Sequence, residues 1–191
     1  MKEKRTIIAC GIFRDELEEA LKDEKRFDLD VIWLKPGFHV RTDLLAAKMA
    51  ELLGELDEER RRGLRVFLGR NCLLSFESAK VDFRVLPTDN CLTAMVGLPK
   101  LRELEANRTM VVTPAWIREI YLARDPELMI WDEAEFRMNF GRYDRLLVLE
   151  AGLAPLTDEE TLAAFDLAGS IVETCPITLD FFKSLTKEYL T

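Results

Sequence analysis

Short apolar runs rich in β-branched and aromatic residues recur along this chain, and between them lie stretches patterned for amphipathic helices. This alternation constrains the fold more than any other feature, because it is the pattern of parallel strands joined by crossover helices. Ile7-Ile8-Ala9, Val31 to Leu34, Val66 to Leu68, Met110 to Val112 and Leu146 to Leu149 are apolar at successive positions, as in strands covered on both faces. The pattern predicts strands near Thr6–Cys10, Asp30–Leu34, Arg65–Gly69, Phe83–Leu86, Thr109–Thr113, Arg145–Glu150 and Ser170–Glu173. The expected fold class is therefore α/β: a doubly wound, mostly parallel sheet with helices on both faces, Rossmann-like but without a dinucleotide fingerprint.

The intervening stretches read as helices with one apolar face. Asp15 to Lys22 places Leu17 and Leu21 four apart, and Asp43 to Leu56 carries Leu44, Leu45, Met49, Leu52, Leu53 and Leu56 at helical period. We read that stripe as core. Asp57 to Arg62 is a charge run on a solvated helix end. Pro114 suits a first helical position, Thr157 with Glu160 forms a capping box for a helix over Leu162 to Leu167, and Pro176 precedes a closing helix at Leu179 to Leu190.

With 191 residues the chain is expected to form one α/β domain, residues 1–191, large enough to need no disulfide staple. A net charge of −8 argues against nucleic acid and anionic membrane as partners, since both call for a cationic surface. Small molecules and proteins remain. No apolar run reaches membrane-spanning length, and Met1 to Thr6 lacks the apolar core of a signal peptide, so a cytoplasmic location is expected.

Two scarce residue types carry the functional reading: one histidine, His39, and four cysteines at positions 10, 72, 91 and 175. No CxxC motif occurs, so neither a zinc ribbon nor a thioredoxin-like pair is present, and free thiols are expected. Cys10 ends the first strand, Cys72 follows the third and Cys91 the fourth, and His39 lies just beyond the second. Ligands of open α/β sheets collect at such carboxyl ends. Gly11, Gly37 and Gly69 beside these residues permit a sharp turn or a close approach to a bound cofactor.

Three thiolates and an imidazole match a tetrahedral zinc set of Cys10, His39, Cys72 and Cys91; three thiolates alone suit a [4Fe-4S] cluster with one open iron. The competing reading is that the cysteines are small hydrophobes packed at strand ends. Asp89 and Asn90 precede Cys91, either as caps of a helix opening there or, for Asp89, in a catalytic role. Such a helix would depress the thiol pKa of Cys91 and favour a thiolate, the form of both a ligand and a nucleophile. Cys175 reads as structural. A Walker loop, GxGxxG and a nucleophile elbow are all absent. Asp132, Glu133 and Glu135 read as a solvated helix face.

The motifs, in their order, resemble the uncharacterised domain-of-unknown-function family numbered 1638. The pieces are Ala9-Cys10-Gly11, Trp33-Leu34 with His39, Gly69 to Cys72, Pro87 to Gly97 and Thr109 to Trp116, over roughly residues 6 to 155. This chain has Asn90 where the family tends to have aspartate, and Leu73 where a glycine is usual. The resemblance implies that Cys10, Cys72, Cys91 and His39 are the family's characteristic site residues, with an aspartate beside the third cysteine either as a base or as a hydrogen-bonding partner of the ligands. It also implies an anaerobic setting in one-carbon metabolism, next to corrinoid-dependent methyltransferases.

The leading expectation is a zinc- or iron–sulfur-binding protein of methyl transfer acting on a small-molecule substrate, with any corrinoid carried by a partner protein. A second is a non-catalytic accessory protein that docks on a corrinoid protein or methyltransferase through an apolar patch at Trp116, Ile117 and Trp131. A third is an enzyme with Cys91 as nucleophile.

Overall fold

The computed structural model describes residues 2–73, 83–123, 125–128, 134, 137–138 and 141–191. Its strands are β1 (Glu3–Cys10), β2 (Phe27–Leu34), β3 (Arg65–Phe67), β4 (Arg84–Val85), β5 (Thr109–Val112), β6 (Arg145–Glu150) and β7 (Ile171–Pro176), and every pairing is parallel. The ladder divides into two sheets, β2-β1-β3-β4 and β5-β6-β7. The α/β reading of the sequence holds.

Burial follows position in the sheet. Thr6 to Ala9 of β1 and Leu146 to Leu149 of β6 are buried at consecutive positions, because each of these strands is flanked on both sides. The edge strands β2 and β7 are more exposed. Strand β7 runs further than its sequence suggests, to Pro176. A proline without an amide proton is tolerated at the end of an edge strand, and Ile177 resumes the pairing by donating to the carbonyl of Glu150 (2.9 Å).

The helices are α1 (Arg14–Leu21), α2 (Thr42–Glu55), α3 (Glu58–Arg62), α4 (Cys91–Val96), α5 (Leu98–Leu104), α6 (Pro114–Trp116), α7 (Asp158–Ala168) and α8 (Asp180–Leu190). The leucine stripe of α2 is core: Leu45, Met49, Leu52 and Leu53 pack with Ile8, Leu34, Val66 and Leu68 on one face of the first sheet. On the other face a larger core joins the sheets, combining Ile7, Phe13, Phe67, Val111, Leu149 and Phe182. Thr157 and Glu160 form the expected capping box of α7, and Pro114 opens α6, which continues as a π-helical stretch over Ile117–Leu122. The acidic residues Asp132, Glu133 and Glu135 lie outside the described residues.

Candidate functional site

In the first sheet, β2 lies on one side of β1 and β3 on the other, so the winding reverses between β1 and β3. Such a switch point opens a crevice at the carboxyl ends of its two strands. Cys10 is the last residue of β1. Strand β3 leads through Leu68 and Gly69 into a 3-10 turn, Arg70–Leu73, that carries Cys72.

Two loops then bring Cys91 in. Arg70 donates its amide proton to the carbonyl of Thr88 (2.8 Å), and Asn71 donates to that of Asp89 (2.9 Å), so the segments before Cys72 and before Cys91 lie side by side. They touch because residue 69 has no side chain: a Cβ there would stand 2.6 Å from both the carbonyl oxygen of Asp89 and the Cα of Asn90. The missing atom at Gly69 thus makes room for backbone. At Gly11 the corresponding space is filled by Pro36 and the carbonyl of Leu34.

Asn90 then caps α4, its Oδ1 accepting from the amide of Thr93 (2.8 Å) and from its hydroxyl (2.9 Å). An aspartate cap would make the same bonds, so the Asn90 departure leaves the start of the helix intact. Asp89 forms an ion pair with Arg70 (2.8 Å). Leu73, the other departure, packs on the core beneath α2.

Burial dominates the ionisation of the three thiols. Burial pushes Cys10 up to about 12; the amide of Ile12 opposes the shift, and Cys91 and Cys72 add to it. Cys91 is likewise raised to about 12, by burial first and then by Cys72, with a contribution from Glu16. Burial also raises Cys72. The expectation of a depressed Cys91 pKa is therefore corrected. The helix is there, but the amides at the start of this six-residue element pull less than desolvation pushes. Each of the four cysteines keeps partial exposure and a free thiol, and Cys175 packs at the end of β7 against the shared core.

The turn Phe38–Val40, entered through Gly37 at φ 97°, packs against the turn that carries Cys72 and so puts the backbone of His39 nearby. The imidazole itself lies outside what the structure describes. Among the described residues, no three His, Cys, Asp or Glu groups already surround one point in ligating geometry. Thiol sulfur is nevertheless the soft donor that a thiophilic ion takes, and Cys72 and Cys91 share one cleft.

Beside Cys72 and Cys91 lies a cleft of about 310 Å³, lined on the same side by Asn71, Asn90 and Leu92 and on the other by residues 110–113 and Trp116 of the second sheet and its helix. A second cleft of about 270 Å³, between Gly11, Pro36 and Ala115, is lined by Arg14, Asp15, Arg118 and Glu119. Of the apolar patch expected at Trp116, Ile117 and Trp131, Ile117 takes no part. Ile117 is wholly buried among Val112, Tyr121, Leu146 and Val148, because the turn after Trp116 directs it into the second-sheet core, and Trp131 lies outside the described residues.

Sequence reasoning missed Glu16. Only 6% exposed, its carboxyl is raised to about 7, first by burial and then by Asp15 and Glu150, against the pull of its own amide. The signal was periodicity: Glu16 stands three residues after Phe13 and four before Ala20, on the buried stripe.

A family model described as "Protein of unknown function (DUF1638)" matches residues 33–186. The chain belongs to this family. The matched stretch begins after Cys10 and extends beyond the motifs from which the resemblance was read. No curated protein and no solved structure matches the chain. Among the described residues, no helix is long and apolar enough to cross a membrane.

Proposed function

We propose that this DUF1638 protein binds a thiophilic metal through Cys10, Cys72 and Cys91, and that the site serves methyl transfer to or from sulfur. One observation supports the reading above all others: Cys72 and Cys91, far apart in the sequence, line one cleft, and Cys10 at the end of β1 packs against the same cores as each of them. Zinc is the first choice and a [4Fe-4S] cluster the second, with His39 the candidate fourth ligand of zinc. When bound, zinc supplies Lewis acidity that keeps a sulfur substrate in its thiolate form.

The protein's own groups do the remainder. The paired loops 69–72 and 88–91 set Cys72 and Cys91 into one cleft, and the end of β1 fixes Cys10. A partner that carries a corrinoid, and a cytoplasmic location where thiols stay reduced, belong to the same proposal and follow from the family resemblance and the cysteine usage.

Purification without oxygen followed by metal analysis tests this. The expected result is about one zinc, or for the cluster about four iron, per chain, lost on Cys72→Ser. Less than about 0.2 equivalents, unchanged by Cys72→Ser, overturns it.

A further inference from the structure

We propose that the cleft beside Cys72 and Cys91 is the binding site of a small, uncharged organosulfur compound, a thiol or thioether of a few carbons. This names a substrate class for the site above. It rests on the metal reading only for how the sulfur is held; the size and neutrality of the cleft stand without it.

The volume of about 310 Å³ is at the small end of ligand sites, enough for a compact molecule. Among the described residues, no ionisable side chain other than the two thiols lines it. The ion pair of Arg70 with Asp89 (2.8 Å), whose residues adjoin Asn71 and Asn90 in sequence, is not part of the lining. A charged ligand entering here would lose hydration without meeting a counter-ion. Met110 and Trp116 instead offer a thioether and an aromatic ring, both good neighbours for sulfur, while Asn71 and Asn90 supply uncharged amides. The contrast with the second cleft is chemical: that one is lined by Arg14, Asp15, Arg118 and Glu119 and suits charged groups.

Calorimetric titration of zinc-loaded and metal-free protein with propanethiol, mercaptopropionate, cysteamine and ethyl methyl sulfide tests the proposal. Propanethiol is expected to bind at least about tenfold more tightly than either charged thiol. Ethyl methyl sulfide, which has no proton to lose, is expected to bind with or without zinc. Leu92→Trp, which fills the cleft, should abolish binding of both neutral ligands while metal content is unchanged. Asn71→Arg changes an exposed side chain at the cleft, so the fold tolerates it; it should improve mercaptopropionate binding about fivefold. Neutral-ligand binding that is the same with and without zinc, in a protein that takes up no metal, supports the cleft and counts against the metal alone. The proposal is overturned if charged thiols bind as well as propanethiol, if no neutral ligand saturates, or if Asn71→Arg leaves mercaptopropionate binding unimproved.

Discussion

Glu16 shows how much one side chain's surroundings decide. Its carboxyl is moved from 4.5 to about 7, chiefly by burial, so it is folded into the protein as a neutral acid. A group whose folded pKa exceeds its unfolded one favours folding most fully at low pH, and that contribution is lost as pH rises through the folded value. The window here runs from about 4.5 to about 7. Glu16→Gln keeps the shape and removes the titration. Its denaturation free energy is therefore expected to lose the slope in this window, and to exceed that of the parent by up to about 3 kcal/mol at pH 8. A variant that tracks the parent's pH profile would assign the slope to another group. Glu16 was legible in the sequence only as a polar break in a buried stripe. Its neighbour Glu150 comes from the end of β6, a distance in sequence that no local pattern spans.

Helix α4 illustrates the opposite case, an element whose start is written locally. Asn90 was recognisable as a cap, and its bonds to the amide and hydroxyl of Thr93 confirm it. Asn90→Ala is expected to cost about 1 kcal/mol in chemical denaturation, and Asn90→Asp to be neutral or slightly stabilising, since an acidic cap also suits the helix N-terminus. Equal losses in both variants would show that the side chain matters for packing rather than capping. The capping box of α7, the proline of α6 and the leucine stripe of α2 were equally legible, because each depends on residues within one or two turns. The ionisation of Cys91 was not. Its local cause, a helix start, was visible, whereas its burial depends on what the second sheet and the other loop bring against it.

The molecule is closed by its last helix. Although α8 follows β7 of the second sheet, Phe182 packs against Phe13 and Phe67 of the first-sheet side, with ring centroids 5.7 Å from each. Lys183 pairs with Glu19 (3.0 Å), and the buried Tyr189 hydroxyl donates to the carbonyl of Val66 (3.0 Å) and also lies against that of Arg84. Phe182→Ala removes the ring shared by both halves of the core and is expected to destabilise by about 3–5 kcal/mol. Unfolding followed by tryptophan fluorescence and by far-ultraviolet circular dichroism should coincide, in the parent and in the variant. Two separated transitions would mean that the sheets are stabilised independently.

The pattern of apolar runs and helical stripes determined the α/β class, the parallel strands and most caps, because periodicity and capping act over a few residues and need no distant partner. Convergence of Cys10, Cys72 and Cys91, the division into two sheets, the buried state of Glu16 and the closing role of α8 were decided only in three dimensions. Each depends on strand order and on burial, and both are set by contacts between segments far apart in the chain.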